Sequence, residues 1–409
     1  MEQTNKRPLV ILTGPTAVGK TAASIGLAKA IGGEIISADS MQVYKEMDIG
    51  SAKIRPEEMD GVPHHLVDVL DPSEDFNVVL FQQMAKEAME GIYQRGHIPI
   101  VVGGTGFYIQ ALLYDIDFTE NNADTAYREE LEALAKTQGA EYLHEMLEKV
   151  DPESAEQIHF HNIKRVIRAL EYYQQTGQKI SEHNEAEREK ESAYNSAYFV
   201  LTDDRKILYD RIDKRVDLMM QEGLLEEVNA LRLRGLKRES VAMQGLGYKE
   251  LFGYFEGEYP LEEAVRIIKR DTRHFAKRQL TWFRRERDVI WLDKSEIGRE
   301  DKQLIQQMLT VLKEKEIIQA PKENKVVSKT TTKEKNKVKE QIENNEEELR
   351  KKFENNKKQV NEQLDLIVEN IETTYYKLKT EEAKFMDLAN SSNIVLNIDK
   401  MKDDRSEER

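Results

Sequence analysis

The chain has 409 residues, with 61 Lys and Arg against 76 Asp and Glu and a formal net charge of -15. At about 100–200 residues per domain, this length allows two to four domains and a sizeable buried core. A hydrophobic content of 39% with 33% charged residues excludes collagen-like and membrane classes. The chain has no cysteine, which excludes a disulfide framework, a thiol nucleophile and a cysteine-ligated zinc or iron–sulfur site. Taken alone, the negative charge argues against a nucleic-acid partner.

The sequence carries no targeting or membrane signal. The apolar run at residues 9–12 is too short for the core of a secretion signal or for a membrane span. No stretch of about 18 apolar residues occurs elsewhere in the chain. We therefore expect a cytoplasmic protein with no membrane partner.

The first hundred residues alternate short apolar runs with helical patterns. Runs typical of buried parallel strands lie at 7–13, 34–37 and 97–102, and we predict a further strand over 67–70. Apolar spacing predicts helices over 21–31 and 81–95. This alternation is typical of an α/β fold in which a doubly wound parallel sheet carries helices on both faces.

Strand signals stop between residues 119 and 196, where helical spacing covers 130–149 and 162–175. A strand pattern resumes at 198–201, and long helices are predicted over 206–220, 224–233 and 261–287. We predict a catalytic core of residues 1–118 and 197–315, interrupted by a helical insertion domain of residues 119–196.

The composition changes near residue 320. Residues 321–409 contain no Gly and are nearly neutral, so almost all the negative charge belongs to residues 1–320. We predict a solvated linker over 316–340 and a helical or coiled-coil tail over 341–409. The tail has heptad-like apolar spacing at Phe353, Val360, Leu364, Ile367, Ile371, Leu378, Phe385 and Leu388. A helix packed on its own protein, a self-associating coiled coil and disorder all stay open, and the tail is a candidate for self-association or protein contact.

A phosphate-binding motif follows the first predicted strand. It matches G-x-x-x-x-G-K-[ST] and opens a helix, which is the context that such a loop requires. Its residues are Gly14, Pro15, Thr16, Ala17, Val18, Gly19, Lys20 and Thr21. Backbone N–H groups and the helix N-terminus surround a phosphate, Lys20 adds a cation, and the Thr21 hydroxyl can bind Mg²⁺. The motif predicts binding of a diphosphate or triphosphate, and it leaves the reaction open.

Two further groups follow predicted strands at the same edge of the sheet. Asp39 follows the second strand, where a carboxylate can act as a general base or a metal ligand. The glycine-rich segment 103–106 follows the next strand and contributes the Thr105 hydroxyl. No apolar run ends in the Asp of a Walker-B strand, which disfavours an ordinary ATPase.

Taken together, the motifs resemble those of the tRNA dimethylallyltransferases. The segments GPTAVGKT, ADSMQVYKEMDIGSAK, PHHLVDV, GGTGFYIQALLY, RVIRALEYY, AMQGLGYKEL and TRHFAKRQLTWFRR occur in the order found in that family. The resemblance covers residues 8–292 and implies a sheet similar to that of P-loop NTPases. The tail has no counterpart in the family pattern.

The resemblance implies transfer of a dimethylallyl group from dimethylallyl diphosphate to N6 of adenosine 37 in the tRNA anticodon loop, with release of diphosphate. Asp39 would be the general base, and Thr105, the other catalytic residue, would contact the diphosphate. The phosphate loop with Mg²⁺ at Thr21 would hold the diphosphate, assisted by Arg215. Dimethylallyl diphosphate and tRNA are the implied partners, and Mg²⁺ is the implied cofactor.

The implied tRNA contacts fall in several separate segments. They are Asp39, Ser40, Met41, Gln42, Arg128, Lys164, Arg165, Val166, Ile167, Arg168, Gln244, Gly245, Leu246, Gly247, Tyr248, Lys249, Lys277 and Arg278. The helix at 268–287 concentrates eight Lys and Arg residues around Phe275, Trp282 and Phe283 within an otherwise acidic core. The bulk charge therefore does not exclude RNA. His64 and His65 are interpreted as structural residues and not as metal ligands.

Three other functions stay open at this point. A P-loop small-molecule kinase would explain the phosphate loop but not the segments 103–106 and 244–249. A prenyltransferase acting on free adenine nucleotides would explain both, although the helical insertion and the basic helix favour a large RNA acceptor. A scaffold with an inactive core is disfavoured because Lys20, Asp39 and Thr105 are all present.

Overall fold

The computed structural model describes residues 6–118 and 125–319, together with the single positions Lys377, Lys379, Thr380 and Lys384. The chain divides into two units, Met1–Lys322 and Glu323–Arg409. The first unit is described below. The predicted linker beyond residue 319 and the predicted heptads of the tail lie outside the described residues.

A parallel sheet forms the centre of the first unit. Its strands are β1 (Pro8–Thr13), β2 (Gly33–Ala38), β3 (His64–His65), β4 (Ile98–Gly103), β5 (Asn195–Thr202) and β6 (Val289–Asp293). The strand order is β3-β2-β4-β1-β5-β6, and every strand pairs in parallel with its neighbours. The α/β fold expected from the alternating pattern is therefore confirmed.

Alternation along β1 explains why helices cover both faces of the sheet. Leu9 and Ile11 enter one apolar cluster, whereas Val10 and Leu12 enter another on the opposite face. Successive side chains of a strand point to opposite faces, and all four of these residues are almost completely buried. A strand that is apolar on both faces requires a helical layer on each side.

The helices fill these two layers and form one separate cluster. They are α1 (Lys20–Ile31), α2 (Val78–Gln94), α3 (Gly106–Leu113), α4 (Thr125–Gln138), α5 (Ala140–Val150), α6 (Pro152–Gln157), α7 (Ile163–Thr176), α8 (Ile180–Glu189), α9 (Arg205–Glu222), α10 (Leu224–Leu233), α11 (Tyr248–Phe255), α12 (Leu261–Phe283), α13 (Lys294–Ile297) and α14 (Asp301–Glu314). Helices α2, α3, α10 and α11 pack on the face of Leu9 and Ile11, α1 and α14 pack on the other, and α9 and α12 contribute residues to both clusters. Within the described ranges, none of these helices is both long and apolar enough to cross a bilayer.

Helices α4–α8 lie in the stretch between α3 and β5. They share an apolar core of their own, which includes Leu131, Leu143, Leu147, Val166 and Leu170. The helix predicted over 130–149 is interrupted, because Gly139 adopts a φ of 95° between α4 and α5. A positive φ of this kind is easily accessible only to glycine, so the residue separates the two helices.

The predicted third strand is misplaced. The structure forms β3 at His64 and His65, and residues 67–70 contribute only an isolated bridge between Leu70 and Tyr44. Leu66 and Asp68 have φ values of 60° and 61°, which bend the chain away from an extended conformation. Strand β6 and helix α14 were not predicted. Both contribute residues to the apolar cluster that contains Val10 and Leu12.

Candidate active site

Loops from neighbouring strands meet at the carboxyl edge of the sheet. The phosphate loop follows the central strand β1, Asp39 follows β2, and Thr105 follows β4. The backbone N–H of Thr105 donates to the carbonyl of Ala38 at 3.4 Å, which brings the β2 and β4 loops together. The carboxyl edge of an open parallel sheet is where such folds bind ligands. The structure thus gathers the principal residues of the predicted chemistry in one place.

The phosphate loop contains a lysine, Lys20, whose pKa is lower than usual. The Nζ of Lys20 donates to the carbonyls of Gly14 and Pro15, both at 3.0 Å. Burial lowers the pKa of Lys20 to about 8, the Asp39 carboxylate opposes this shift, and the nearby Arg215 guanidinium reinforces it. Lys20, Asp39 and Arg215 are therefore close enough to interact electrostatically. An ammonium held in this way beside a helix N-terminus suits a phosphate anion.

A residue that the sequence analysis did not assign connects the phosphate loop to the glycine-rich segment. The side chain of Gln279 accepts from the N–H of Thr16 at 2.9 Å and donates to the carbonyl of Gly104 at 3.0 Å. Gln279 lies on the buried stripe of α12, between Ala276 and Phe283. A polar residue at this position of an apolar stripe is the signal that could have identified it.

Asp39 is held by its own loop. Its Oδ1 accepts from the N–H groups of Met41 at 2.9 Å and Gln42 at 3.4 Å. Such a turn fixes the carboxyl group through one oxygen. Because both hydrogen bonds fall on Oδ1, Oδ2 is the atom suited to accept a proton from a substrate.

The glycines on either side of Thr105 allow other parts of the protein to pack closely against the backbone of this segment. A Cβ added at Gly103 would lie 2.2 Å from the carbonyl oxygen of Ala38, and one at Gly104 would lie 2.1 Å from the Gln279 amide nitrogen. A Cβ at Gly106 would lie 2.2 Å from the indole of Trp282. Close packing against three protein groups therefore accounts for glycine at these positions.

A second lysine flanks the phosphate loop. Lys294 follows β6, is 5% exposed, and lies so close to the loop that a Cβ at Gly19 would be 2.8 Å from its Nζ. Burial lowers its pKa, and Asp301 lies 3.9 Å away. Sequence reasoning missed Lys294 because it did not predict the strand that places it.

The donor groups of the phosphate loop fit Mg²⁺. Thr21 is exposed at the first turn of α1. Among residues 6–118 and 125–319 no three His, Cys, Asp or Glu side chains are grouped to hold a metal ion. Mg²⁺ commonly keeps several waters and binds through one protein oxygen and substrate phosphates, so a lone hydroxyl suits it. His64 and His65 bind the carbonyl of Val62 and the carboxylate of Glu34, consistent with structural roles.

The segment 244–249 lies against the loop that carries Asp39. A Cβ at Gly245 would be 2.7 Å from the sulfur of Met41, so these two predicted RNA-contacting segments touch. Gln244 is exposed, and its amide donates to the carbonyl of Arg238. Tyr248, by contrast, is completely buried, so its side chain cannot reach an RNA molecule. Leu246, Gly247 and Lys249 complete the turn into α11.

The basic helix α12 is divided into two parts. In its first part, Lys269 pairs with Asp217 and Arg273 pairs with Asp213 of α9. Its second part lines a groove of about 390 Å³ formed by His274, Lys277, Arg278, Thr281, Trp282 and Arg285. Fewer basic side chains are therefore available to RNA than the composition of the helix suggests. The predicted Lys277 and Arg278 are among those that line the groove.

The remaining predicted RNA contacts lie in the helical cluster and not at the sheet edge. Lys164 and Arg165 are exposed on α7, whereas Val166 and Ile167 are buried in the core of the cluster. Arg128 forms a two-point ion pair with the buried carboxylate of Glu171, at 2.8 and 2.7 Å. Within the predicted segment 164–168, the first two side chains are thus open to solvent, and Arg168 is partly buried.

A parallel sheet with a phosphate loop after its central strand defines a protein of the P-loop α/β class. Comparison with known proteins narrows this class. Residues 42–286 match the family model described as IPP transferase, and residues 8–69 match the one described as Isopentenyl transferase. The chain belongs to the IPP transferase family.

Relatives with assigned names are similar over most of their length. The tRNA dimethylallyltransferase of Lachnoclostridium phytofermentans is 62% identical over 312 residues, which cover 76% of this chain and 99% of that protein. The tRNA dimethylallyltransferase of Bacillus cereus strain AH187 is 52% identical over 293 residues, covering 72% of this chain and 92% of that protein.

Solved structures show the same similarity. The tRNA isopentenylpyrophosphate transferase of Bacillus halodurans is 46% identical with a TM-score of 0.58, covering 76% of this chain and 98% of its own. A eukaryotic dimethylallyltransferase described as acting on tRNA is 31% identical with a TM-score of 0.64, covering 74% of this chain and 78% of its own.

Proposed function

We propose that this protein transfers the dimethylallyl group of dimethylallyl diphosphate to N6 of adenosine 37 in the anticodon loop of tRNA. The proposal is supported by the family to which the chain belongs and by the names of its relatives. The structural observation that carries it is that the Asp39 loop and the phosphate loop meet at the carboxyl edge of the sheet. A base and a site for an anionic leaving group are the two elements that this transfer requires.

The acceptor needs a base because the lone pair of an exocyclic adenine amine is delocalised into the ring. In the proposed step, N6 attacks the allylic carbon that bears the diphosphate, and the carbon–oxygen bond breaks. Oδ2 of Asp39 takes the proton of N6, and the electron pair leaves with the diphosphate. Oδ1 keeps the carboxylate oriented through its hydrogen bonds with Met41 and Gln42. A base placed in this way contributes roughly 10²–10⁴-fold to a rate.

The leaving group is stabilised by the phosphate loop. Backbone N–H groups of the phosphate loop other than that of Thr16, together with Lys20 and Arg215, bind the diphosphate as negative charge develops on it. Gln279 keeps the loop in register with the segment that carries Thr105, whose hydroxyl contacts the diphosphate. The Thr21 hydroxyl would hold Mg²⁺, which would supply further neutralisation of the leaving charge.

The acceptor must be RNA whose target base leaves its stack. An adenine stacked in an anticodon loop cannot reach a carboxylate at a sheet edge, so we propose that it is flipped out. The exposed side chains of Lys164 and Arg165 and the groove at Lys277 and Arg278 are the proposed contacts for the surrounding RNA. Since tRNA is the acceptor, the cytoplasm is the proposed compartment.

A comparison of two acceptors in separate reactions tests the proposal. Radiolabelled dimethylallyl diphosphate is incubated with the protein and either unmodified tRNA or AMP. We expect label in tRNA and not in AMP. Label in AMP alone would replace the proposal with a prenyltransferase for free nucleotides. Transfer to neither acceptor, together with transfer of a phosphoryl group from a nucleoside triphosphate to a small molecule, would favour a P-loop kinase.

A further inference from the structure

One partly buried carboxylate joins two separate segments next to the proposed base. Oε2 of Glu227, on α10, accepts from the N–H groups of Asp48 at 2.9 Å and Ile49 at 2.8 Å. Its Oε1 accepts from the N–H of Gly50 at 3.0 Å and from the hydroxyl of Tyr248 at 2.7 Å. One side chain thus holds three consecutive backbone groups of one segment and a side chain of another.

The first segment continues to the residues beside the proposed base. Residues 48–50 are followed by Ser51 and Ala52, whose carbonyls accept from the side-chain amide of Gln42, both at 3.3 Å. Gln42 itself donates its backbone N–H to Asp39. Glu227 therefore fixes the far side of the loop whose near side carries the proposed base.

The second segment is pressed against the first at two places. A Cβ at Gly50 would lie 2.6 Å from the ring of Tyr248, and a Cβ at Gly245 would lie 2.7 Å from the sulfur of Met41. Both places need glycine, since neither an aromatic ring nor a packed thioether leaves room for a side chain. The relative position of the two segments is thus determined by packing and by the Glu227 carboxylate.

Glu227 has no hydrogen-bonding capacity left for a substrate. A carboxylate offers about four lone-pair positions, and three N–H donors and one hydroxyl occupy them. Its Tyr248 partner is completely buried and is likewise not a ligand group. Burial and the neighbouring carboxylate raise the pKa of Tyr248 well above its ordinary value, so its hydroxyl stays a donor.

We propose that Glu227 is a positioning residue that preassembles the tRNA-binding surface by joining segments 39–52 and 244–249 in one fixed arrangement. The inference rests on the proposed function and on the RNA contacts that the family resemblance implies for residues 39–42 and 244–249. It predicts a defect confined to the acceptor side, because the phosphate loop is fixed separately by Gln279. A merely structural role would affect the use of both substrates alike.

Steady-state kinetics with Glu227→Gln tests this inference. The amide keeps one acceptor oxygen but places an NH2 group against donors at the other position, so the side chain no longer accepts from both sets of donors at once. We expect KM for tRNA to rise about 10-fold or more. KM for dimethylallyl diphosphate and kcat at saturating tRNA should stay close to the parent values. The matched control is Glu226→Gln, an exposed neighbour on the same helix, which should leave both KM values unchanged.

Tyr248→Phe gives an independent test because it removes one hydrogen bond and keeps the buried ring. We expect a smaller rise in KM for tRNA, with KM for dimethylallyl diphosphate again unchanged. If Glu227→Gln does not fold, the result for Tyr248→Phe decides. An unchanged tRNA KM in Tyr248→Phe, or parallel losses for both substrates in the folded variants, would overturn the inference. A parent enzyme that does not prenylate tRNA would instead overturn the proposed function, so the two failures are distinguishable.

Discussion

The phosphate side and the acceptor side of the candidate site are built in different ways. The phosphate loop is one continuous segment between β1 and α1, and its chemistry comes mostly from its own backbone. The acceptor side draws on segments 39–52, 244–249 and α12, which lie far apart in the sequence. Side chains to which the sequence analysis assigned no role connect them: Glu227 holds the acceptor segments together, and Gln279 connects α12 to the phosphate loop.

This difference has a functional consequence. A diphosphate is small and is bound by a loop that one strand and one helix already shape. An RNA loop is large and needs several surfaces in a fixed relation before it binds. Substitutions on the phosphate side should therefore change the use of the donor, and substitutions at the connecting side chains of the acceptor segments should change the use of the RNA.

The largest effect is expected at the proposed base. Asp39→Asn keeps an Oδ1 that can accept from Met41 and Gln42 but removes the group that takes the proton. We expect kcat to fall roughly 10²–10⁴-fold while the affinity for tRNA stays near the parent value, measured by single-turnover kinetics and filter binding. Asp60→Asn, an exposed carboxyl far along the chain, is the control. Equal losses in tRNA affinity and rate would refute the role of Asp39 as a base.

The next effect is expected in the phosphate loop. Lys20→Ala removes the ammonium that faces the leaving diphosphate, so kcat/KM for dimethylallyl diphosphate should fall about 10²–10³-fold. Binding of tRNA should change little. Lys29→Ala, on the same helix but exposed, should behave like the parent. Parent-like donor kinetics in Lys20→Ala would remove the phosphate loop from the mechanism.

A substitution of Gln279 tests whether the phosphate loop must be joined to the segment that carries Thr105. Gln279→Ala leaves Thr16 N–H and Gly104 C=O without this partner, so the phosphate loop can move relative to Thr105. A small displacement at a reacting centre can cost roughly 10- to 100-fold in rate, and we expect a loss of that order in kcat/KM for the donor. Gln306→Ala on α14 is the exposed control. A loss confined to tRNA binding would instead assign Gln279 to the acceptor side.

The pH dependence of donor use should reflect Lys20. Because burial lowers the pKa of Lys20 to about 8, its cationic form is present below that pH and is lost as the pH rises through it. KM for dimethylallyl diphosphate should therefore rise several-fold between about pH 7 and pH 9, and by at most about 10-fold per pH unit. KM for tRNA over the same range is the internal control. A flat donor profile would contradict a titrating Lys20 in the free enzyme.

The smallest effect is expected on the helical cluster. Arg165→Ala removes one exposed cation, so tRNA affinity should fall only a few-fold. The slope of log affinity against log salt concentration should decrease in magnitude by about 1, as expected for the loss of one phosphate contact. Lys136→Ala, exposed on α4, serves as the control. An Arg165 variant with parent-like affinity and salt dependence would exclude this part of α7 from the RNA interface.

The sequence was informative where function is carried by contiguous residues. The α/β fold, the phosphate loop and the position of Asp39 could all be predicted, because strand periodicity and a local motif specify them. Residues 67–70 misled because positive φ values at Leu66 and Asp68 leave no trace in apolar spacing. Glu227 and Gln279 escaped notice because their partners lie 21 to 263 residues away in the chain, and only the fold brings them together.

The basic helix α12 also has contacts that its own sequence does not reveal. The eight Lys and Arg residues over 268–287 indicated an RNA-binding segment. The structure pairs Lys269 and Arg273 with carboxylates of α9, a helix that local sequence analysis could not place beside α12. Val166 and Ile167, inside a motif of the family, are core residues of the helical cluster for the same reason.

The central claim is that adenosine 37 of tRNA is the acceptor. The most direct test is nucleoside mass spectrometry of tRNA transcripts after incubation with the protein, Mg²⁺ and dimethylallyl diphosphate. The proposal predicts one N6-dimethylallyl adenosine per transcript, located at position 37 and absent from a transcript with guanosine there. Modification of the guanosine transcript to the same extent, or none in either transcript, would contradict it.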